Sequence, residues 1–140
     1  MRKVLLFLAV IVMTVGLYGA GRGDVKTWPK IPKNKIAGVW KMVINRDTYY
    51  KVLTPDGRYM NLNPNGSRYY IHVQGYYRQL CKHAYVETAM EFSGRRVRPS
   101  ETAINFKMKD KDKMIITYKG EDQKWVTQYW TRSNTVPIYK

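Results

Sequence analysis

Ile36-Ala37-Gly38-Val39-Trp40-Lys41-Met42-Val43-Ile44-Asn45 alternates in a way a strand can use and a helix cannot. Trp40, Met42 and Ile44 fall on one face, with Lys41 on the other. The same period returns along the chain, broken by turn chemistry. Thr48 to Thr54 reads as a second strand, with Tyr50 and Val52 opposite Lys51, and Pro55-Asp56-Gly57 closes it. Arg58 to Leu62 reads as a third, ended by Asn63-Pro64-Asn65-Gly66-Ser67. The fourth is long, with Tyr69, Ile71, Val73, Gly75 and Tyr77 on one parity and a bend expected at Gly75. Ala84 to Phe92 makes the fifth, and Ser93 to Ser100 reads as a basic loop. Thr102 to Lys109 alternates most cleanly, Ile104, Phe106 and Met108 against Asn105, Lys107 and Lys109. Met114, Ile116 and Tyr118 share a side of the seventh, and Lys124 to Arg132 forms the eighth.

Eight short strands in succession, with no crossover helix, predict an all-β fold: an eight-stranded antiparallel up-and-down barrel. A β-sandwich is the alternative. Closure removes the unpaired edges that an open sheet would present. A barrel of about eight strands has room for packed side chains or one small ligand.

The chain of 140 residues is long enough for one domain. Arg2-Lys3, the apolar run Val4 to Val15 and the small-residue exit Gly19-Ala20-Gly21 have the layout of a signal peptide over 1–21. Residues 22–34, with Trp28-Pro29-Lys30-Ile31-Pro32-Lys33, read as an extended arm that lays Trp28 or Ile31 across one end of the barrel. The barrel is expected over 35–133 and a tail over 134–140. The destination is extracytoplasmic: periplasm, cell envelope or outside the cell.

Lys and Arg number 25 against 10 acidic residues, a formal charge of +15; removing Arg2 and Lys3 with the leader leaves 23 against 10, or +13. This surplus favours anionic partners. With Cys81 as the only cysteine, an internal disulfide and a multi-cysteine zinc site are both excluded.

Gly38-Val39-Trp40 near the start and Tyr129-Trp130-Thr131-Arg132 at the end resemble the paired signatures of lipocalins and related calycins. Taken with Tyr50-Lys51-Val52, Asp56-Gly57, Gly75-Tyr76-Tyr77 and Tyr85-Val86-Glu87, the chain is similar to a family of small exported bacterial lipocalin-like domains of unknown function over about Ile36 to Arg132. The resemblance implies that Trp40 plugs one end of the barrel and Arg132 lies over it. A guanidinium on an indole gains cation–π attraction there and can bond nearby carbonyls.

The expected pocket lining is Met42, Ile44, Tyr50, Val52, Tyr59, Tyr69, Ile71, Tyr77, Phe106, Met108, Ile116 and Tyr118, with Glu87 as a thirteenth member if its strand turns it inward. Parity by itself favours the alternative, Val86, Thr88 and Met90 inward and Glu87 solvated, while the resemblance favours the first. Such a lining suits a small hydrophobic or amphipathic ligand. Arg95, Arg96 and Arg98 are candidates for an anionic group at the rim, such as a membrane or glycan surface. Cys81, His83 and His72 are too few for a transition-metal site, so no metal or cofactor is expected. No nucleophile with its base and no acid/base pair can be placed, so no enzyme is expected. Basic residues interleaved with tyrosines would suit a single-stranded nucleic acid, but export argues against that partner.

Overall fold

In the computed structural model, residues 35–139 are described; the expected leader and the arm with Trp28 and Ile31 lie outside them. Eight strands run in order: β1 (Gly38–Ile44), β2 (Asp47–Leu53), β3 (Arg58–Asn65), β4 (Arg68–Cys81), β5 (Ala84–Phe92), β6 (Arg95–Asp110), β7 (Lys113–Lys119) and β8 (Trp125–Ser133). Each pairs antiparallel with the next, and β1 pairs with β8 through Val39–Ser133, Trp40–Arg132 and Lys41–Thr131. The sheet is therefore a closed up-and-down barrel, with no helix among the described residues and no second sheet as a sandwich requires.

The register of β1 on β2 comes from a turn of only two residues. Asn45 and Arg46 both take positive φ, 51° and 73°, the conformation whose twist matches that of the flanking strands. Ile44 then faces Asp47, and Trp40 faces Lys51. Residues paired in this way share a face, so Lys51 points inward with Trp40. This corrects the expected parity of the second strand: Tyr50 and Val52 are half-buried and lie outside the inner apolar cluster, which holds Leu53 and has Tyr49 packed against it instead.

Further differences follow from β4. Asn61 pairs with Val73 and Leu62 with Ile71, leaving His72 as an extra residue. Such a bulge reverses the alternation beyond it. Val73 and Tyr77 stay in the inner cluster while Tyr69 and Ile71 leave it. A second irregularity sits at Gly75, as its glycine predicts: a Cβ there would lie 1.9 Å from the Thr88 carbonyl oxygen. Pro64 belongs to β3, not to a turn; β2 pairs no farther than Leu62, so the proline nitrogen meets no ladder on that side. The basic loop is likewise strand. Only Ser93 and Gly94 turn the chain, and Arg95, Arg96 and Arg98 open the long β6.

At one end the barrel is sealed. Trp40 is fully buried and its Nε1 donates to the Ile36 carbonyl at 2.9 Å. The Arg132 guanidinium lies 4.2 Å from the Trp40 ring centroid and donates to the carbonyls of Ala37 at 2.9 Å, Lys111 at 2.9 Å and Lys35 at 3.2 Å. One side chain thus joins β1, β8 and the β6–β7 turn. Gly38 must be a glycine for two reasons: its φ is +146°, and a Cβ would sit 2.3 Å from Arg132 Nη1. Gly38→Ala is expected to lower stability by roughly 2–4 kcal/mol. Gly66→Ala, at φ +62° with nothing within 4 Å of its Cβ, should lose only about 1 kcal/mol. Urea midpoints of the two variants measure the difference; equal losses would mean that the guanidinium contact contributes nothing.

Candidate functional site

From the end opposite the Trp40 seal, a cavity of about 910 Å³ runs inward. That is within the range of small-molecule sites. Its mouth is bordered by Phe92 and by the β7–β8 segment Lys119 to Trp125; farther in lie Met42, Val73, Ala89, Ile104 and Ile116.

The interior holds a charge pair. Lys51, 3% exposed, and Glu87, 7% exposed, come from β2 and β5, and Lys51 Nζ donates to Glu87 Oε1. Tyr85 Oη donates to the same oxygen at 3.0 Å. Lys51 Nζ also lies 5.5 Å from the Tyr59 ring centroid and 5.9 Å from that of Trp130. Aromatic faces on two sides and a carboxylate on a third compensate the ammonium for the water it has lost. Glu87 is inward, the orientation the resemblance favoured.

Burial pushes the Tyr85 phenol well above its ordinary 10.0, with the Glu87 charge as the next cause. Tyr59 is raised by the same two causes in the same order, and so is Tyr118. These phenols remain protonated, and Tyr85 donates to Glu87. Higher in the cavity, Trp130 Nε1 donates to Gln128 Oε1 at 3.2 Å, and Gln128 Nε2 donates to Tyr118 Oη at 3.2 Å. Asn61, the cross-strand neighbour of Lys51, and His72 also line the space; Asn61 Oδ1 and His72 Nδ1 are buried without a partner among the described residues.

Of the residues expected to line a pocket, Met42, Tyr50, Tyr59, Glu87, Ile116 and Tyr118 do border the cavity. Tyr77 and Phe106 are buried in the apolar cluster, and Met108 packs against it. Val52, Tyr69 and Ile71 lie away from the cavity, Tyr69 edge-on to Tyr50 at 5.4 Å between ring centroids. Ile44 is 44% exposed beside the β1–β2 turn. Arg95, Arg96 and Arg98 are exposed. Cys81 and His83 are exposed at the β4–β5 turn, while His72 lies nine residues back along β4, roughly 30 Å at ordinary strand rise. Lys51, Asn61 and Gln128 are not among the residues the sequence singles out as lining. For Lys51 the signal was present: a two-residue turn at Asn45-Arg46 places it opposite Trp40.

Residues 28–138 match the profile of a domain of unknown function, DUF4488, and the chain belongs to that family. The eight-stranded antiparallel barrel is consistent with a calycin-like domain. No curated protein matches the chain.

Removing one partner of a buried pair strands the other charge. Lys51→Met or Glu87→Leu alone is expected to cost roughly 3–5 kcal/mol, and the double variant less than either, in chemical denaturation. Singles that cost no more than the double would show the pair to be solvated. The raised phenols set an alkaline limit. Their contribution is complete below pH 10.0 and is lost above it, because the unfolded chain releases protons that the barrel retains. Stability should therefore fall as pH rises past 10.0, with tyrosinate absorbance from Tyr59 and Tyr85 appearing only on unfolding. Ionisation of all tyrosines while the barrel stays folded would contradict this.

Proposed function

We propose that the protein is an exported, non-enzymatic lipocalin-like binding protein that holds a small hydrophobic or amphipathic molecule inside the barrel. The observation that carries this reading is the 910 Å³ cavity, apolar along much of its wall, in a barrel whose other end is sealed by Trp40 and Arg132. A space of that size between packed strands forfeits dispersion contacts that a ligand would supply. The polar groups within it are few and fixed in direction, which suits orientation of a ligand.

The inner end of that ligand is uncharged. Among the described residues Lys51 is the buried cation of the cavity wall, Lys119 standing at the mouth, and Glu87 already neutralises Lys51. A ligand carboxylate would have to displace Glu87, leaving a buried charge unpaired at a cost of several kcal/mol. A hydroxyl or amide meets no such obstacle. Signal-peptide export is supported by the basic start and short apolar run of residues 1–21.

Native mass spectrometry of the purified protein tests the central claim: a stoichiometric lipid-like or aromatic adduct is expected. Titration with 1-dodecanol and with dodecanoate, followed by tryptophan fluorescence, tests the polarity. The alcohol is expected to bind about tenfold tighter or more. Met42→Trp, which fills the upper cavity, should abolish binding of both while the thermal midpoint holds. No adduct and no saturable binding of either probe would overturn the proposal.

A further inference from the structure

The two ends of the barrel present different surfaces. Among the described residues, large apolar side chains stand exposed at three of the four hairpin ends around the cavity mouth. These are Val43 at 65% and Ile44 at 44% beside the β1–β2 turn, Phe92 at 39% beside the β5–β6 turn, and Trp125 at 58% where β8 begins. At the sealed end, the turns at Thr54–Gly57, Lys82–His83 and Lys111–Asp112 carry none. Other exposed apolar side chains stand on the side wall, Tyr76 and Tyr129, and on the C-terminal tail, Val136, Ile138 and Tyr139. Single exposed apolar residues need no explanation, but hairpin tips that carry them at one end of a barrel and not at the other do.

Charge accompanies them. Arg95 pairs with Phe92 across the β5–β6 turn and Arg96 with Glu91, so two guanidiniums flank one apolar tip. Arg46 and Asp47 balance at the β1–β2 turn; in the β7–β8 turn Lys119 and Lys124 stand against Glu121 and Asp122. Lys119 Nζ also lies 5.5 Å from the Trp125 ring centroid. Arg68, at the remaining turn, has no acid beside it. The rim is thus apolar at its crest and basic behind it, on a chain of net charge +15. A tryptophan with apolar neighbours and cations at their base matches the layered chemistry of a bilayer surface, acyl boundary below and anionic headgroups above.

We propose that the open end of the barrel docks on an anionic lipid bilayer, inserting Val43, Ile44, Phe92 and Trp125 while Arg95 and Arg96 meet the headgroups. The cavity mouth then faces the membrane, so an amphipathic molecule can pass between bilayer and barrel without crossing water. Docking does not depend on that exchange and stands with the cavity full or empty. A glycan would engage the arginines and could stack on Trp125 or Phe92, but it has no use for the aliphatic Val43 and Ile44, so the lipid surface is the better match.

Co-sedimentation tests this with the protein in the form in which the producing cell releases it. The probes are vesicles of phosphatidylcholine mixed with phosphatidylglycerol, and of phosphatidylcholine alone. Binding to the mixed vesicles is expected, with weaker binding to the neutral ones and release by salt. Ile44→Ser/Phe92→Ser/Trp125→Ser should bind about tenfold less well or worse, whereas Tyr76→Ser/Tyr129→Ser, equally exposed on the side wall, should bind as the parent does. Arg95→Gln/Arg96→Gln should lose several-fold more than Lys107→Gln/Lys109→Gln, the same charge change on the outer wall of β6. Thermal melts confirm that each variant is folded. Full binding by the rim triple variant, equal losses at rim and wall, or no binding to mixed vesicles would overturn the proposal. So would a dimer in sedimentation velocity that the rim substitutions dissolve, since the crest would then belong to a second copy.

Discussion

A cation set on an aromatic ring holds the two ends of the sheet together. Arg132 comes from the last strand and Trp40 from the first, and between them they turn a row of hairpins into a tube. The attraction alone is modest, on the order of 1 kcal/mol. Its weight comes from position. The same guanidinium satisfies carbonyls of residues 35, 37 and 111, so the indole can be fully buried without leaving polar backbone groups stranded around it. Gly38 is the backbone's concession to that arrangement, since no side chain fits between the strand and the guanidinium.

Once one end is sealed, the interior has a bottom and a top, and polarity is graded between them. Trp40, Leu53, Tyr77 and Phe106 make the lower part apolar and full. Above them the Lys51–Glu87 pair sits among Tyr85, Tyr59 and Trp130. A buried pair of this sort gives little net stability over well-packed apolar groups. It does orient neighbouring groups, and under the proposed binding function it sets which ligand charges the interior accepts. This is the reason to read Lys51 and Glu87 as part of a site, with Tyr85 as the residue that positions the carboxylate. The tip residues at the other end complete the asymmetry: one end is closed and polar outside, the other open, apolar at its crest and basic behind.

Strand number and order were legible because alternation and turn chemistry are local. Pro55-Asp56-Gly57 and Lys119 to Asp122 announced their turns, and β5 runs over the predicted Ala84–Phe92. Errors arose where face assignment depended on register. Tyr50 and Val52 read as inward because they are the more apolar parity of β2, yet a two-residue turn with both residues at positive φ places Lys51 opposite Trp40. Tyr69 and Ile71 read as inward because alternation was carried unbroken through His72, where a bulge reverses it. The arginines of 95–98 read as loop because charge and Pro99 suggested one, whereas β6 continues through them.

While the closing roles of Trp40 and Arg132 came from the resemblance to lipocalins and related calycins, local pattern alone established an all-β, strongly basic chain. Such properties depend on side-chain alternation and turn preference, which neighbouring residues settle among themselves. Which side chains face the interior, that Lys51 meets Glu87 across the barrel, and that Val43, Ile44, Phe92 and Trp125 share the open end were decided only by tertiary structure. Each requires strands distant in sequence to be brought together in one register, and one extra residue in a strand is enough to reverse the outcome.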